Sequence, residues 1–317
     1  MNRITAEEAA KILLGQDDIL VLTHRSPDGD TLGSAYAVCH ALRRMGKRIN
    51  VACADEIAEK YSYLAAGMQD MDFEPRFILA VDVADEKLLG NLRKIYGGSI
   101  DMCIDHHGSN TGYADKLLLK EVAACAEIIY ELLLLMKAPI DVKIAECIYT
   151  GISTDTGCFR YSNTTAQSHY IAAKLMETGF NYFIINRLMF EIKSKEFLQL
   201  EQKAIAGMEY YLDGRVAVIT LTKEMMDSVD PSSLEYIAPL PRQVEGVRCG
   251  FTLKQVEENH FRISVRTGHE LDASKICAGF GGGGHKRAAG CSFTGTKDEL
   301  IGRLIKAVEK EMQQPIG

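Results

Sequence analysis

Three short apolar runs in the first half of the chain each end in ionisable residues, with helix-length segments between and after them. DILVLT at 18–23 leads into His24, and FILAVDV at 77–83 carries Asp82. SIDMCID at 99–105 ends on Asp105, just before His106 and His107. Apolar runs of this length read as strands buried on both faces. A further strand is predicted at 48–53, with helices at 31–45 (ended by Gly46), 123–136 and 142–150. Strands alternating with helices imply βαβ units, so the predicted class is α/β, with a mainly parallel sheet flanked by helices.

After residue 183 the pattern changes. A long helical stretch of mixed charge covers 183–211 and reads as a connector. Beyond it, strands are predicted at 216–221, 247–254 and 260–265, then a glycine cluster at 279–290 and an amphipathic helix at 297–312. The expected organisation is a first domain at 1–187, a connector helix at 188–207 and a smaller C-terminal α/β domain at 208–317. A length of 317 residues suits two domains, because single hydrophobic cores stop growing near this size.

The formal net charge of −7 argues against holding long nucleic acid by bulk electrostatics and favours short or small anionic substrates. Nine cysteines without a C-x-x-C pair are expected to be buried and reduced. Glu7 and Glu8 lie where a signal peptide would be apolar, and the longest apolar block, at 132–136, is far short of the ~20 residues of a membrane span. A cytoplasmic protein with no membrane association is expected.

Four segments carry the acidic and histidine residues: His24, Asp28 and Asp30 in THRSPDGDTLGS at 23–34, Asp82, Asp105-His106-His107, and Asp155 in TGISTDTG at 150–157. Binding sites in open parallel sheets form outside the carboxyl ends of the strands, which is where the first three segments fall. So many carboxylates cannot stay ionised side by side without compensation, and divalent cations supply it. Oxygen donors with one or two imidazoles and no cysteine suit Mn²⁺ or Mg²⁺ better than a thiolate zinc site, with Mn²⁺ preferred for its tolerance of imidazole. Two such ions ~3.5–4 Å apart would acidify a water and stabilise an in-line displacement. Alone, Asp82 or Asp28-Gly29 would read as a turn or a helix cap. Their joint placement carries the metal reading.

The segment GFGGGGHKRAAG at 279–290 offers a second site. Successive glycine N–H groups (Gly282, Gly283, Gly284) can form an anion-binding nest, with His285 and Arg287 beside it to grip phosphate. Arg266, in ISVRT at 263–267, offers a bidentate phosphate contact. The Ala-Ala-Gly that follows the glycines suggests tight packing against another backbone. No G-K-[ST] follows, so this is not a Walker loop. His40, His169, His260 and His269 lack comparable partners in sequence and are read as core or surface residues.

Taken together, HRSPDGDTLGS, VDVAD, DHHGSN, TGISTDTGCFRYSNTT, and ISVRT with GFGGGGHKRAAG resemble the DHH phosphoesterase superfamily across essentially the whole chain. The C-terminal part is similar to its DHH-associated domain. Within that superfamily the chain looks most like the bacterial nanoRNase and pAp-phosphatase subfamily. The resemblance implies hydrolysis of short oligoribonucleotides or dinucleotides such as pApA, or removal of the 3′-phosphate of pAp. It implies two divalent ions, with His24 and Asp28 on one, Asp30, His106 and Asp155 on the other, and Asp82 bridging them. It further places His107 near the scissile phosphate as a donor, Asp105 behind the histidines to orient them, and Arg266 and His285 on substrate phosphate. Thr267 stands where many relatives have Ser, with a hydroxyl retained. A cyclic di-AMP phosphodiesterase of the same fold, and a non-catalytic nucleotide- or RNA-binding module, are the alternatives; a homodimer is left open.

Overall fold

The computed structural model describes residues 2–313, and the chain divides into two compact units, Met1–Ile192 and Lys193–Gly317. The first contains strands β1 (Asn2–Arg3), β2 (Ile19–Leu22), β3 (Ile49–Ala52), β4 (Phe77–Val81), β5 (Met102–Asp105) and β6 (Lys116–Leu119). Its helices are α1 (Ala6–Gly15), α2 (Gly29–Arg44), α3 (Arg93–Tyr96), α4 (Cys125–Leu135), α5 (Val142–Asp155), α6 (Ala166–Met176) and α7 (Tyr182–Asn186). All strand pairs are parallel, in the order β1-β6-β5-β4-β2-β3.

The continuous apolar runs have a direct structural cause. On β2 and β4, Ile19, Val21, Phe77 and Leu79 enter one apolar cluster, while Leu20, Leu22, Ile78 and Ala80 enter another on the opposite face. Side chains alternate faces along a strand, so a strand covered on both sides is apolar at every position. From β2 the chain leaves to β3 on one side and returns to β4 on the other. Strand order therefore reverses between β2 and β4, the place where ligand crevices open in such sheets.

Helices α2 and α5 pack backbone to backbone. A Cβ on Gly33 would lie 2.4 Å from the carbonyl oxygen of Cys147, and one on Gly151 would lie 2.7 Å from Asp30 Oδ1. Glycine is therefore required at both positions, and the close approach carries the first turn of α2 toward the end of α5. Gly33→Ala is expected to cost about 1–3 kcal/mol, the usual range for overpacking a core. A lowered denaturant midpoint with an unchanged slope checks this, and an unchanged midpoint contradicts it.

The second unit holds α8 (Lys195–Ala206), β7 (Glu209–Tyr211), β8 (Val216–Leu221), α9 (Lys223–Met226), β9 (Cys249–Glu257), β10 (His260–Thr267), α10 (Ala273–Ala278), β11 (Gly283–Gly284), β12 (Ala288–Thr294) and α11 (Lys297–Met312). They form a mixed sheet in the order β11-β12-β10-β9-β8-β7, in which only β8 and β9 run parallel.

The segment 183–211 is not one helix. It comprises the rest of α7, a π-type turn at Arg187–Glu191, an extended Ile192 (φ −76, ψ 124), then α8 and β7. Ser194 caps α8 by accepting from the Phe197 N–H at 3.0 Å. The break falls where the chain changes core. Ile185 and Met189 join the apolar cluster of the first unit, whereas Phe197, Leu200 and Ala204 pack with Ile219 and Leu221 of the second. The helix expected at 188–207 thus begins at Lys195, and it is part of the second unit rather than a free connector.

Candidate metal centre

The loop after β2 and the first turn of α2 supply three of the clustered residues. Asp28 caps α2, its Oδ1 accepting from the N–H groups of Asp30 (3.0 Å) and Thr31 (3.1 Å). Such a carboxylate is favoured by the positive end of the helix dipole. His24 places Nδ1 2.9 Å from the Arg25 carbonyl oxygen. A carbonyl only accepts, so Nδ1 carries the hydrogen and Nε2 presents its lone pair inward. Nε2 lies 3.6 Å from Asp28 Oδ1 and 3.7 Å from Asp82 Oδ2.

Asp30 points the other way, into the N-terminus of α4. Its Oδ2 accepts from Cys125 N–H at 2.6 Å and its Oδ1 from Ala126 N–H at 2.9 Å. Oδ2 remains 3.8 Å from His106 Nε2. Asp30 therefore serves two elements at once, holding the first turn of α4 and facing the cluster.

Asp82 is the first residue beyond β4 and is buried, with φ at +57°. A left-handed conformation is uncommon outside glycine, and Asp and Asn tolerate it best. It lets Asp82 turn its carboxylate into the crevice while its N–H still bonds the Ile104 carbonyl at 2.9 Å. Oδ2 faces His24, whereas Oδ1 lies 3.4 Å from His106 Nε2 and 3.5 Å from His107 Nδ1.

At the end of β5, Asp105 is fully buried and held from several sides. Its Oδ1 accepts from the His106 N–H (2.8 Å), the His107 N–H (3.3 Å) and His107 Nδ1 (2.8 Å), and its Oδ2 from Asn110 Nδ2 (2.6 Å). These bonds fix both histidine backbones and the tautomer of His107, leaving its Nε2 outward. The His106 Nδ1 atom bonds the Val122 carbonyl at 3.0 Å, which frees Nε2. That atom is 3.4 Å from Asp155 Oδ2, and Asp155 is the last residue of α5.

All six proposed ligands thus meet in the first unit. Three donor groups come together there: His24, Asp28 and Asp82; Asp30, His106 and Asp155; and Asp82, His106 and His107, with donor atoms within 4.8 Å of one another in each. Separations of 3.4–3.8 Å exceed hydrogen-bond length, but two donors each ~2.1 Å from a common ion can lie up to about 4.2 Å apart. Among the described residues, buried Asp82 Oδ1 and His106 Nε2 have no hydrogen-bond partner. Orphaned buried polar atoms are costly, and here they face each other across a space lined by carboxylates. Cys125, whose N–H holds Asp30, is no thiolate donor, because burial and the neighbouring carboxylates push its thiol well up and it bonds the Ile104 carbonyl. The donor set is oxygen and imidazole nitrogen, which fits hard divalent cations.

The electrostatics point the same way. Burial, then repulsion from Asp30 and Asp28, raises the Asp82 carboxyl well above the ordinary 3.8. Asp155 is raised well above it by burial and by Asp30, and Asp30 by burial and Asp28. Burial works against His106 and His24, yet the carboxylates around them raise both. Burial likewise opposes Asp28 and Asp105, but His24 and backbone N–H groups hold the first below 3.8, and His107 and Asn110 the second.

These shifts set a pH dependence. A group raised in the fold stabilises it below its unfolded value and loses that contribution as pH rises through the folded value. The metal-free first unit therefore weakens as pH climbs through the raised values of Asp82, Asp155, Asp30, His24 and His106. The lowered Asp28 and Asp105 contribute above 3.8 and are unchanged between pH 5 and 8. A dication replaces the lost protons. The thermal shift given by Mn²⁺ to EDTA-stripped protein is expected to be larger at pH 8 than at pH 5. Equal shifts at the two pH values contradict this.

The residues expected to hold phosphate lie in the second unit. The glycine cluster is a hairpin rather than a loop, with Gly283 paired to Gly290 and Gly284 to Ala289. A Cβ on Gly282 would lie 2.2 Å from the Gly290 carbonyl oxygen, and Gly284 has φ at +143°. Packing thus accounts for Gly282 and Gly284, whereas Gly283 faces open space. Exposed His285 stands at the turn, closed by the Ala288 N–H to its carbonyl and its own N–H to Ala288. Arg266 lies on β10 opposite Ala288, partly buried, with Nη1 on the Val265 carbonyl. Arg287 donates Nη1 to the carbonyls of Gly268 and Leu271, which ties the turn to the end of β10. That is a fold-holding task, distinct from the phosphate grip expected of it. The Thr267 hydroxyl shares in it through Leu271 and Lys286 carbonyls.

Comparison with known proteins gives the lineage. The DHH family N-terminal domain matches residues 18–152 and the DHHA1 domain residues 213–314. A Thermus thermophilus protein named bifunctional oligoribonuclease and PAP phosphatase NrnA is 28% identical, over 93% of this chain and 90% of its own length. A Bacillus subtilis protein of the same name is 25% identical over 87% of this chain and 90% of its own. Among solved structures, an exopolyphosphatase-related protein from Bacteroides fragilis superposes with a TM-score of 0.86 at 26% identity, covering 97% of this chain and 96% of the other. An exonuclease RecJ crystallised with manganese shares the fold at a TM-score of 0.54 and 13% identity, covering 98% and 95%. Motifs, fold and relatives agree that the chain belongs to the DHH superfamily, with an N-terminal DHH domain and a C-terminal DHHA1 domain.

Proposed function

We propose that the protein is an Mn²⁺-dependent phosphoesterase that hydrolyses short oligoribonucleotides to mononucleotides and removes the 3′-phosphate of pAp. The carrying observation is Asp82, whose two carboxylate oxygens face different imidazoles, Oδ2 toward His24 at 3.7 Å and Oδ1 toward His106 at 3.4 Å. His24 and Asp28 would hold one ion and Asp30, His106 and Asp155 the other, with Asp82 shared between them. When bound, the ions supply an acidified water and neutralise charge that develops on the phosphoryl oxygens. The substrate class follows the names of the relatives.

The remaining tasks fall to the side chains. Asp105 accepts from His107 Nδ1 and leaves Nε2 free, so that the imidazolium form, with a hydrogen on each nitrogen, would give its Nε2 proton to the departing oxygen and return to the neutral ring. Asp105 itself stays ionised, because Asn110 and two backbone N–H groups satisfy its oxygens. Arg266 and His285 contact substrate phosphate, a role tested by a raised KM for pApA in Arg266→Ala and His285→Ala. No helix of the described residues is long and apolar enough to cross a membrane.

A panel of pApA, pAp and cyclic di-AMP, run with Mn²⁺ and with EDTA, tests the reading. Turnover of pApA and pAp that disappears with EDTA is expected. Preference for cyclic di-AMP reassigns the substrate within the same fold, and no turnover of any of the three favours a non-catalytic binding module.

A further inference from the structure

The last turn of α5 leads into a reversal of hand. Gly157, Cys158 and Phe159 have φ of +57°, +58° and +63°, three left-handed residues in succession. The N–H groups of Arg160 and Tyr161 return to the Thr156 carbonyl, both at 2.9 Å. Left-handed residues other than glycine are costly, and such strain persists only where surrounding contacts over-determine it. Here the reversal brings Asn163 back to Asp155.

The side-chain amide of Asn163 donates to two carbonyls, Asp155 and Ala123, each at 3.1 Å. A carbonyl only accepts, so both bonds use the NH₂ group, and its two hydrogens match the two acceptors. One carbonyl belongs to a metal ligand. The other lies immediately before Ala124, which caps α4, the helix whose first N–H groups hold Asp30. The same segment touches α4 again five residues on, where Ser168 Oγ donates to Glu127 Oε1 at 2.5 Å. Asp155 on α5 and Asp30 on α2 approach His106 from different sides, and one amide ties the end of α5 to the start of α4, whose N–H groups hold Asp30.

We propose that Asn163 is a positioning residue, which fixes Asp155 relative to Asp30 and so sets the affinity of the ion those two share with His106. The proposal rests on the two-ion reading above. The His24, Asp28 and Asp82 group lies in the loop after β2, at the cap of α2 and just beyond β4, none of which Asn163 touches through these bonds. Its loss therefore weakens one ion and leaves the other, whereas a merely structural role affects both alike.

The test measures Mn²⁺ affinity by calorimetry in two reporter backgrounds of the full chain. His24→Ala leaves the Asp30, His106 and Asp155 group, and Asp155→Ala leaves the His24 group. Adding Asn163→Ala or the near-isosteric Asn163→Asp is expected to weaken Mn²⁺ about 10- to 100-fold in the first background, as is usual for partners of metal ligands. In the second background the change stays within about threefold, below that same range. Asn163→Gln keeps the two-hydrogen donor and is expected to recover part of the loss. Equal weakening in both backgrounds, or none in the first, overturns the proposal. Wild-type protein that binds no Mn²⁺ overturns the two-ion reading itself, and this inference with it.

Discussion

Replacing Asp82 by Asn or Ala is expected to lower Mn²⁺-supported turnover by about 10³-fold or more. Loss of a single electrostatic donor costs 10²–10³, and Asp82 serves both halves of the site. Stability is expected to move the opposite way. Among the described residues Asp82 Oδ1 has no hydrogen-bond partner, and burial and four neighbouring aspartates press on the charge. Asn keeps the shape and tolerates φ of +57°, while removing that charge. Metal-free Asp82→Asn should therefore melt above metal-free wild type at pH 8, with the difference shrinking toward pH 4. Asp82→Ala removes the charge too but lacks the short polar side chain that eases a left-handed position, at a cost of up to about 1–2 kcal/mol. A less stable Asn variant, or retained activity in either, contradicts the role given to Asp82.

Asp30→Ala is expected to be nearly as damaging to activity, and destabilising as well. Its carboxylate lies among buried atoms, but unlike Asp82 it accepts from two backbone N–H groups, Cys125 and Ala126, at the start of α4. Removing it orphans those donors in the core, which costs about 1–3 kcal/mol. The pair of variants separates two kinds of ligand: one that the fold tolerates only for its ion, and one that the fold also uses. Denaturant unfolding in EDTA, set beside turnover in excess Mn²⁺, checks both. Equal stability of Asp30→Ala and wild type contradicts the second assignment.

Much of the metal centre could be read from the chain because strand ends and ionisable residues coincide. Parallel strands covered on both faces are apolar throughout, so the polar residue that follows each marks the carboxyl edge. His24, Asp82 and the pair after Asp105 were legible for that reason, and their convergence followed from topology alone. Asp155 was read as following a helix; it is the last residue of α5, which extends beyond the predicted 142–150. The contacts behind the ligands were less visible. Asn110 and Asn163 resemble ordinary loop residues, and only the backbone path shows that one locks Asp105 and the other joins Asp155 to α4. The G-x-x-x-G of Gly29 and Gly33 was a readable signal of close helix packing, but its partner Gly151 lies more than a hundred residues away.

The connector failed as a sequence reading for a comparable reason. Periodicity over 183–211 suits a helix, but it does not say which core each turn will enter, and the change of core forces the break before Ser194. In the glycine cluster the sequence offered a nest or a passive loop, and a third use of glycine, a strand pressed against β12, was detected only as a hint in the Ala-Ala-Gly that follows. Arg287 shows the same ambiguity, since a guanidinium serves a phosphate and a pair of carbonyls equally well.

An anomalous difference map at the manganese edge, from crystals of the full chain soaked in Mn²⁺, tests the central claim most directly. Two peaks are expected in the first unit, one beside His24 and Asp28 and one beside Asp30, His106 and Asp155, with the Asp82 carboxylate between them. A single peak, or none at these residues, would contradict the account.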